Sequence, residues 1–141
     1  MNDVRSYENL SGTWKLIEVK GDMVATFGKS PRGFFTFSRD GRALVLITSE
    51  KRHKIADIAK MTDQERIDLF KTMLAYGGTY TFDGKELKIK VDISWNENWS
   101  GTELVRFAEL EGNRLELSTP LYPSTVDGKP TVTTLIWEKL I

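Results

Sequence analysis

Residues 85–94 read Lys85-Glu86-Leu87-Lys88-Ile89-Lys90-Val91-Asp92-Ile93-Ser94. Leu87, Ile89, Val91 and Ile93 alternate with Lys88, Lys90, Asp92 and Ser94. A period of two with charge on one side predicts a strand with one buried and one wet face. Segments 12–21, 33–38, 42–48, 77–83, 102–111, 113–119 and 131–139 read as further strands, rich in β-branched and aromatic residues. Arg39-Asp40-Gly41, Asp83-Gly84-Lys85 and Glu111-Gly112-Asn113 separate neighbours as tight hairpin turns, with glycine supplying the positive φ they need. The prolines at 31, 120, 123 and 130 stand outside the alternating stretches, where turns and strand ends tolerate them.

One helix interrupts the pattern. Thr62-Asp63-Gln64-Glu65 has capping-box spacing, and Ile67, Phe70, Met73 and Leu74 follow at helical spacing. The helix is expected over 62–75, between the third and fourth strands, closing one end of the molecule or flanking it. Segment 50–61 fits a loop or a second short helix, and Val4 to Leu10 admits a helical turn. Sequential strands joined mostly by short turns leave exposed edges unless the sheet closes. The expectation is one all-β domain over 1–141: an eight-stranded up-and-down antiparallel barrel, with a two-sheet sandwich as its rival. A barrel of that size holds side chains or one small ligand.

Lysine plus arginine and aspartate plus glutamate number 20 each, so the formal net charge is zero. This argues against an electrostatic nucleic-acid binder and a polybasic membrane-surface protein. No apolar run approaches the roughly 20 residues of a spanning helix. The opening stretch to Trp14 shows no signal-peptide pattern. There is no cysteine and one histidine, His53. Disulfides, thiolate or multi-histidine metal sites and a cysteine nucleophile are thereby excluded. Neither metal nor cofactor is expected, and the expected compartment is a reducing cytoplasm. Dinucleotide and phosphate-loop fingerprints, a nucleophile elbow and an opposed carboxylate pair are all missing.

Gly12-Thr13-Trp14 opens the first strand, and Gly12 and Trp14 look like the lipocalin signature in which the tryptophan closes the barrel floor. Ser30-Pro31-Arg32-Gly33, Tyr76-Gly77-Gly78-Thr79-Tyr80, Val91-Asp92-Ile93-Ser94-Trp95-Asn96-Glu97-Asn98-Trp99, Val105-Arg106-Phe107 and Leu135-Ile136-Trp137-Glu138 follow in order. Over nearly its whole length the chain resembles the bacterial lipocalin-like domain family. The resemblance implies an eight-stranded barrel with an internal pocket, without naming a ligand or reaction. Relatives often carry histidine in the fifth strand. Ile89-Lys90-Val91-Asp92 stands there instead, so any chemistry resting on that histidine is absent.

Arg106 shares strand parity with Leu104 and Ala108. If those face inward, so does its guanidinium, which must then be paired or bound to an anion. Alternatively it packs on Trp14 and caps the floor. Glu18 shares parity with Trp14 and Leu16 and reaches the pocket, unless a bulge or rim position returns it to solvent. Tyr80 offers a hydroxyl to the cavity or packs in the core. Trp95 and Trp99 form an aromatic turn that fits either a ligand wall at the barrel mouth or simple turn packing. Phe35 and Phe37, with Phe27, Phe34, Phe70 and Met73, are expected to line the core or pocket. Asp92 faces solvent, and His53 lies on a charged surface loop.

The leading expectation is binding of a small hydrophobic or amphipathic ligand, oriented by Arg106, Glu18 and Tyr80. The alternative is a cofactor-independent cyclase, isomerase or dehydratase using the same groups for proton transfer. A third reading is a barrel plugged solid by its aromatic residues, serving as a structural domain. A homodimer is left open.

Overall fold

The computed structural model describes residues 9–141. Its strands are β1 (Gly12–Lys20), β2 (Arg32–Phe37), β3 (Arg42–Thr48), β4 (Met73–Phe82), β5 (Glu86–Ser94), β6 (Glu103–Glu111) and β7 (Arg114–Ser118). They are followed by β8 (Tyr122–Pro123), β9 (Pro130–Thr131) and β10 (Thr134–Lys139). Seven strands and β10 close a barrel in the order β1-β10-β7-β6-β5-β4-β3-β2. Every pairing is antiparallel. The expected barrel is therefore the fold. β8 and β9 form a separate two-stranded ribbon within the stretch before β10.

The two ends of the barrel differ because the connections differ. At one end the three predicted turns hold, and Gly41, Gly84 and Gly112 all have positive φ. Asp83 tightens its turn by accepting from the Lys85 and Glu86 amides at 2.8 and 2.7 Å. Trp14, fully buried, plugs this end and donates its indole N–H to the Leu10 carbonyl at 2.9 Å. Phe37, Tyr80, Phe82, Leu87 and Leu115 are buried with it in one apolar core. At the other end the chain returns through long connections, 21–31, 49–72, 95–102 and 119–133.

The first long connection contains a short helix the sequence reading did not foresee, α1 (Met23–Phe27). The second contains α2 (Asp63–Lys71), whose capping box forms as predicted: the Glu65 amide donates to Thr62 Oγ1 at 3.1 Å and the Thr62 amide to Glu65 Oε1 at 2.9 Å. The helix stops at Lys71 rather than residue 75. Thr72 turns its hydroxyl back onto the Asp68 carbonyl at 2.6 Å, and Met73 already pairs with Thr48. Strand pairing overrides helical spacing here. Segment 50–61 is loop with one 3₁₀ turn at Ile58–Lys60. The helical turn expected over Val4 to Leu10 lies mostly outside the described residues; its last two, Asn9 and Leu10, are helical.

Strand β5 follows its predicted alternation through Leu87, Ile89 and Val91, all buried, but Ile93 is 64% exposed. The β4–β5 register shifts at Gly77/Gly78, so that Gly77 faces Ile93 and Gly78 faces Val91. Asp92 is the extra residue of this bulge, and the parity of Ile93 inverts. A Cβ at Gly78 would lie 1.9 Å from the Lys90 carbonyl oxygen, so the close approach requires glycine. Asp92 remains exposed, as expected, and accepts hydrogen bonds from Nη1 and Nη2 of Arg42, the latter at 3.0 Å.

Candidate functional site

The open end of the barrel holds a cavity of about 260 Å³. Its inner wall is Phe35, Val45 and Tyr76, which stand directly opposite one another across β2, β3 and β4. Trp137 packs edge-on against Phe35, with ring centroids 5.4 Å apart. Nearer the mouth, Ile47, Leu74, Leu117 and Leu135 form an apolar collar, each one residue in from the open edge of its strand. Met23 of α1 and Trp99 of the 3₁₀ turn Glu97–Trp99 close over the collar. Trp99 is held edge-on by Tyr76 at 5.5 Å and by Trp95 at 5.2 Å.

Among the described residues, Arg106 supplies the one charge in the lining. The sequence condition for its facing inward is met: Ala108 is buried, Leu104 packs on the core, and Arg106 pairs across the sheet with fully buried Leu87. It does not cap the floor; the Lys139 ammonium lies over the Trp14 ring instead, 5.6 Å from its centroid. Arg106 Nη1 donates to the carbonyl of its own neighbour Val105 at 2.8 Å. Among the described residues it forms no ion pair, and none of them brings a carboxylate or an imidazole to the cavity lining. Burial pushes the Tyr76 phenol above its ordinary range, with the Arg106 charge acting in the opposite direction. At the rim, the Tyr122 and Thr133 hydroxyls bond each other, and the Thr133 amide donates to Thr119 Oγ1 at 3.0 Å.

The cavity brings together Phe35, Trp99 and Arg106 of the expected residues, and the others lie elsewhere. Glu18 faces solvent, because the β1–β10 register shifts between Leu16 and Glu18 and Val19 takes the inward position instead. Its carboxylate lies 3.9 Å from the Lys20 ammonium on the outer surface. Tyr80 is four residues further along β4 than Tyr76, about 13 Å deeper at strand rise, and donates its hydroxyl to the Ser38 carbonyl at 3.2 Å. Phe37 stacks beneath Phe35 with centroids 4.3 Å apart, as part of the plug. Trp95 buttresses Trp99 from outside the lining and meets Phe70 of α2 at 6.4 Å. Phe34 and Phe70, expected inside, are 48% and 54% exposed. His53 is exposed, as expected.

The reading of the sequence missed Tyr76 as the cavity tyrosine, and it missed Trp137, Leu117, Leu135 and Met23 as lining. Strand parity from the buried Tyr80 was a usable signal for Tyr76. Met23 depended on a five-residue helix with no side-chain cap. Among the described residues no group of three His, Cys, Asp or Glu side chains gathers to hold a metal. No helix among them is long and apolar enough to cross a membrane.

The chain belongs to the lipocalin-like domain family, whose model matches residues 11–140. Comparison with curated proteins gives no match. Among solved structures it is similar to an uncharacterized protein from Bacteroides eggerthii DSM 20697, at 17% identity over 93% of this chain and 99% of that one, with a TM-score of 0.46. It is also similar to a REP1-NXSQ fatty acid transporter, at 11% identity over 95% of this chain and 98% of that one, with a TM-score of 0.45. A mutant of the fluorescent protein UnaG is similar at 10% identity over 95% and 98% of the two chains, with a TM-score of 0.46.

Proposed function

We propose that the chain binds a small hydrophobic or amphipathic molecule inside the barrel, oriented by Arg106. The observation that carries this reading is the cavity of about 260 Å³, walled by apolar and aromatic side chains and reached from one end. At about 30 Å³ per liquid-water-sized atom, it suits a ligand on the order of ten non-hydrogen atoms. Removing about 200 Å² of apolar surface from water contributes on the order of 5 kcal/mol before association costs. A neutral ligand of this size is therefore expected to bind no more tightly than about 0.2 mM.

Proton-transfer catalysis is less well supported. It needs a base facing the guest, and its named candidate, Glu18, lies on the outer surface. Among the described residues, the lining's polar side-chain groups are hydroxyls, indole N–H groups and one permanently charged guanidinium, none of them a base.

The test is calorimetric titration of 1-octanol into the wild-type protein and into Leu135→Trp, which fills the collar. Saturable one-site binding by the wild type, lost in the variant, is the expected result. No saturable binding by the wild type, or equal binding by both proteins, overturns the reading.

A further inference from the structure

The polar groups of the cavity are unbalanced in one direction. Arg106 carries five N–H donors, and the structure satisfies one of them, with a backbone carbonyl of its own strand. The Trp137 indole N–H also lacks an acceptor among the described residues, but it is sealed from the cavity. The Tyr76 hydroxyl makes no hydrogen bond to another described residue, although the side chain is only 7% exposed. The rim hydroxyls of Tyr122 and Thr133 are already engaged with each other. Among the described residues, the deeper half of the cavity thus has spare donors, a whole positive charge and no carboxylate. Arg106 is half-buried, and a guest bearing acceptor oxygens and one negative charge supplies the partners its guanidinium lacks among the described residues.

Position along the strands adds a direction. Arg106 stands three residues inside the open edge of β6, and Tyr76 three residues inside that of β4. Across the sheet Arg106 pairs with Leu87 and Leu87 with Phe82, near the turn end of β4, so on this side the guanidinium springs from the deeper wall. Ile47 and Leu74 of the collar stand one residue in from the open edges of β3 and β4, while Leu117 pairs with Ala108 and so flanks Arg106.

From this juxtaposition we infer that the ligand is an amphipathic monoanion of the carboxylate class, which enters head first. Its carboxylate accepts from the Arg106 guanidinium with the Tyr76 hydroxyl alongside, and its apolar tail runs outward through the collar. This inference rests on the cavity-binding reading above. A planar carboxylate matches the two-pronged guanidinium, and a single guanidinium balances a single charge.

The test compares octanoate with 1-octanol, which share a tail and differ in charge, by calorimetry at pH 7. The wild type is expected to bind octanoate at least tenfold more tightly than octanol. Arg106→Met is expected to bring the two affinities within about twofold while octanol binding persists, which also shows that the variant folds. Tyr76→Phe is expected to weaken octanoate severalfold and leave octanol unchanged. Octanol binding with no preference for octanoate in the wild type overturns this inference and leaves the cavity reading standing. Failure of both ligands to bind overturns the cavity reading as well.

Discussion

Asp22 shows how much one side chain organises at the barrel mouth. It immediately precedes α1, and its carboxylate accepts from Ser124 Oγ at 2.8 Å and from the Thr125 amide at 2.9 Å. It thereby ties the connection bearing Met23 to the connection bearing Tyr122 and Thr133, all of which line the cavity. The Ser124 hydroxyl, followed by the Thr125 amide, holds the Asp22 carboxyl below its usual value of 3.8. A depressed folded-state pKa stabilises the protein above the unfolded value, and that stability is lost as pH falls through the folded value. The melting temperature of the wild type is therefore expected to fall more steeply between pH 5 and pH 2.5 than that of Asp22→Asn. Thermal unfolding across this range reads the difference directly, and parallel curves would remove Asp22 from the account. At this scale the sequence was partly readable. Parity tied Arg106 to Leu104 and Ala108, which do face inward, but it was not applied to separate Phe35, buried, from its neighbour Phe34, exposed. It failed for Glu18 and Ile93 because a bulge inverts parity and leaves no mark in the composition of either strand.

Elements formed where local signals and sheet pairing agreed. The capping box started α2 where its four residues predicted, and glycine turns ended the strands where their positive φ was needed. The end of α2 was not legible, because Met73 and Leu74 fit a helical stripe as well as a strand, and only their pairing with Thr48 and Ile47 decides between them. Losing those two residues leaves α2 with no buried side chain, and Ile67 is 46% exposed. Ile67→Ala is accordingly expected to change stability by no more than about 0.5 kcal/mol. Leu87→Ala, at a fully buried position in β5, is expected to cost about 2–5 kcal/mol. Urea denaturation of the two variants checks the contrast. A large loss for Ile67→Ala would mean that the helix is packed against the barrel after all.

For the whole molecule, the decisive asymmetry lies between the two ends of the barrel. Tight turns and the Trp14 plug seal one, while four long connections surround the other. The closed barrel was legible from strand count, turn spacing and the Gly12–Trp14 start. The hollow was not, because the aromatic residues of this chain could equally have filled it. What keeps it open is their distribution. Phe37, Tyr80 and Trp14 are spent on the plug, Trp95 buttresses from outside, and Phe34 and Phe70 face outward. The most direct measurement is a crystal structure of the protein grown with octanoate. The expected result is density inside the barrel, with carboxylate oxygens within about 3.2 Å of the Arg106 guanidinium and the methyl end beside Ile47 and Leu74. A barrel whose side chains have closed the space, or octanoate bound only on the outer wall, would contradict it.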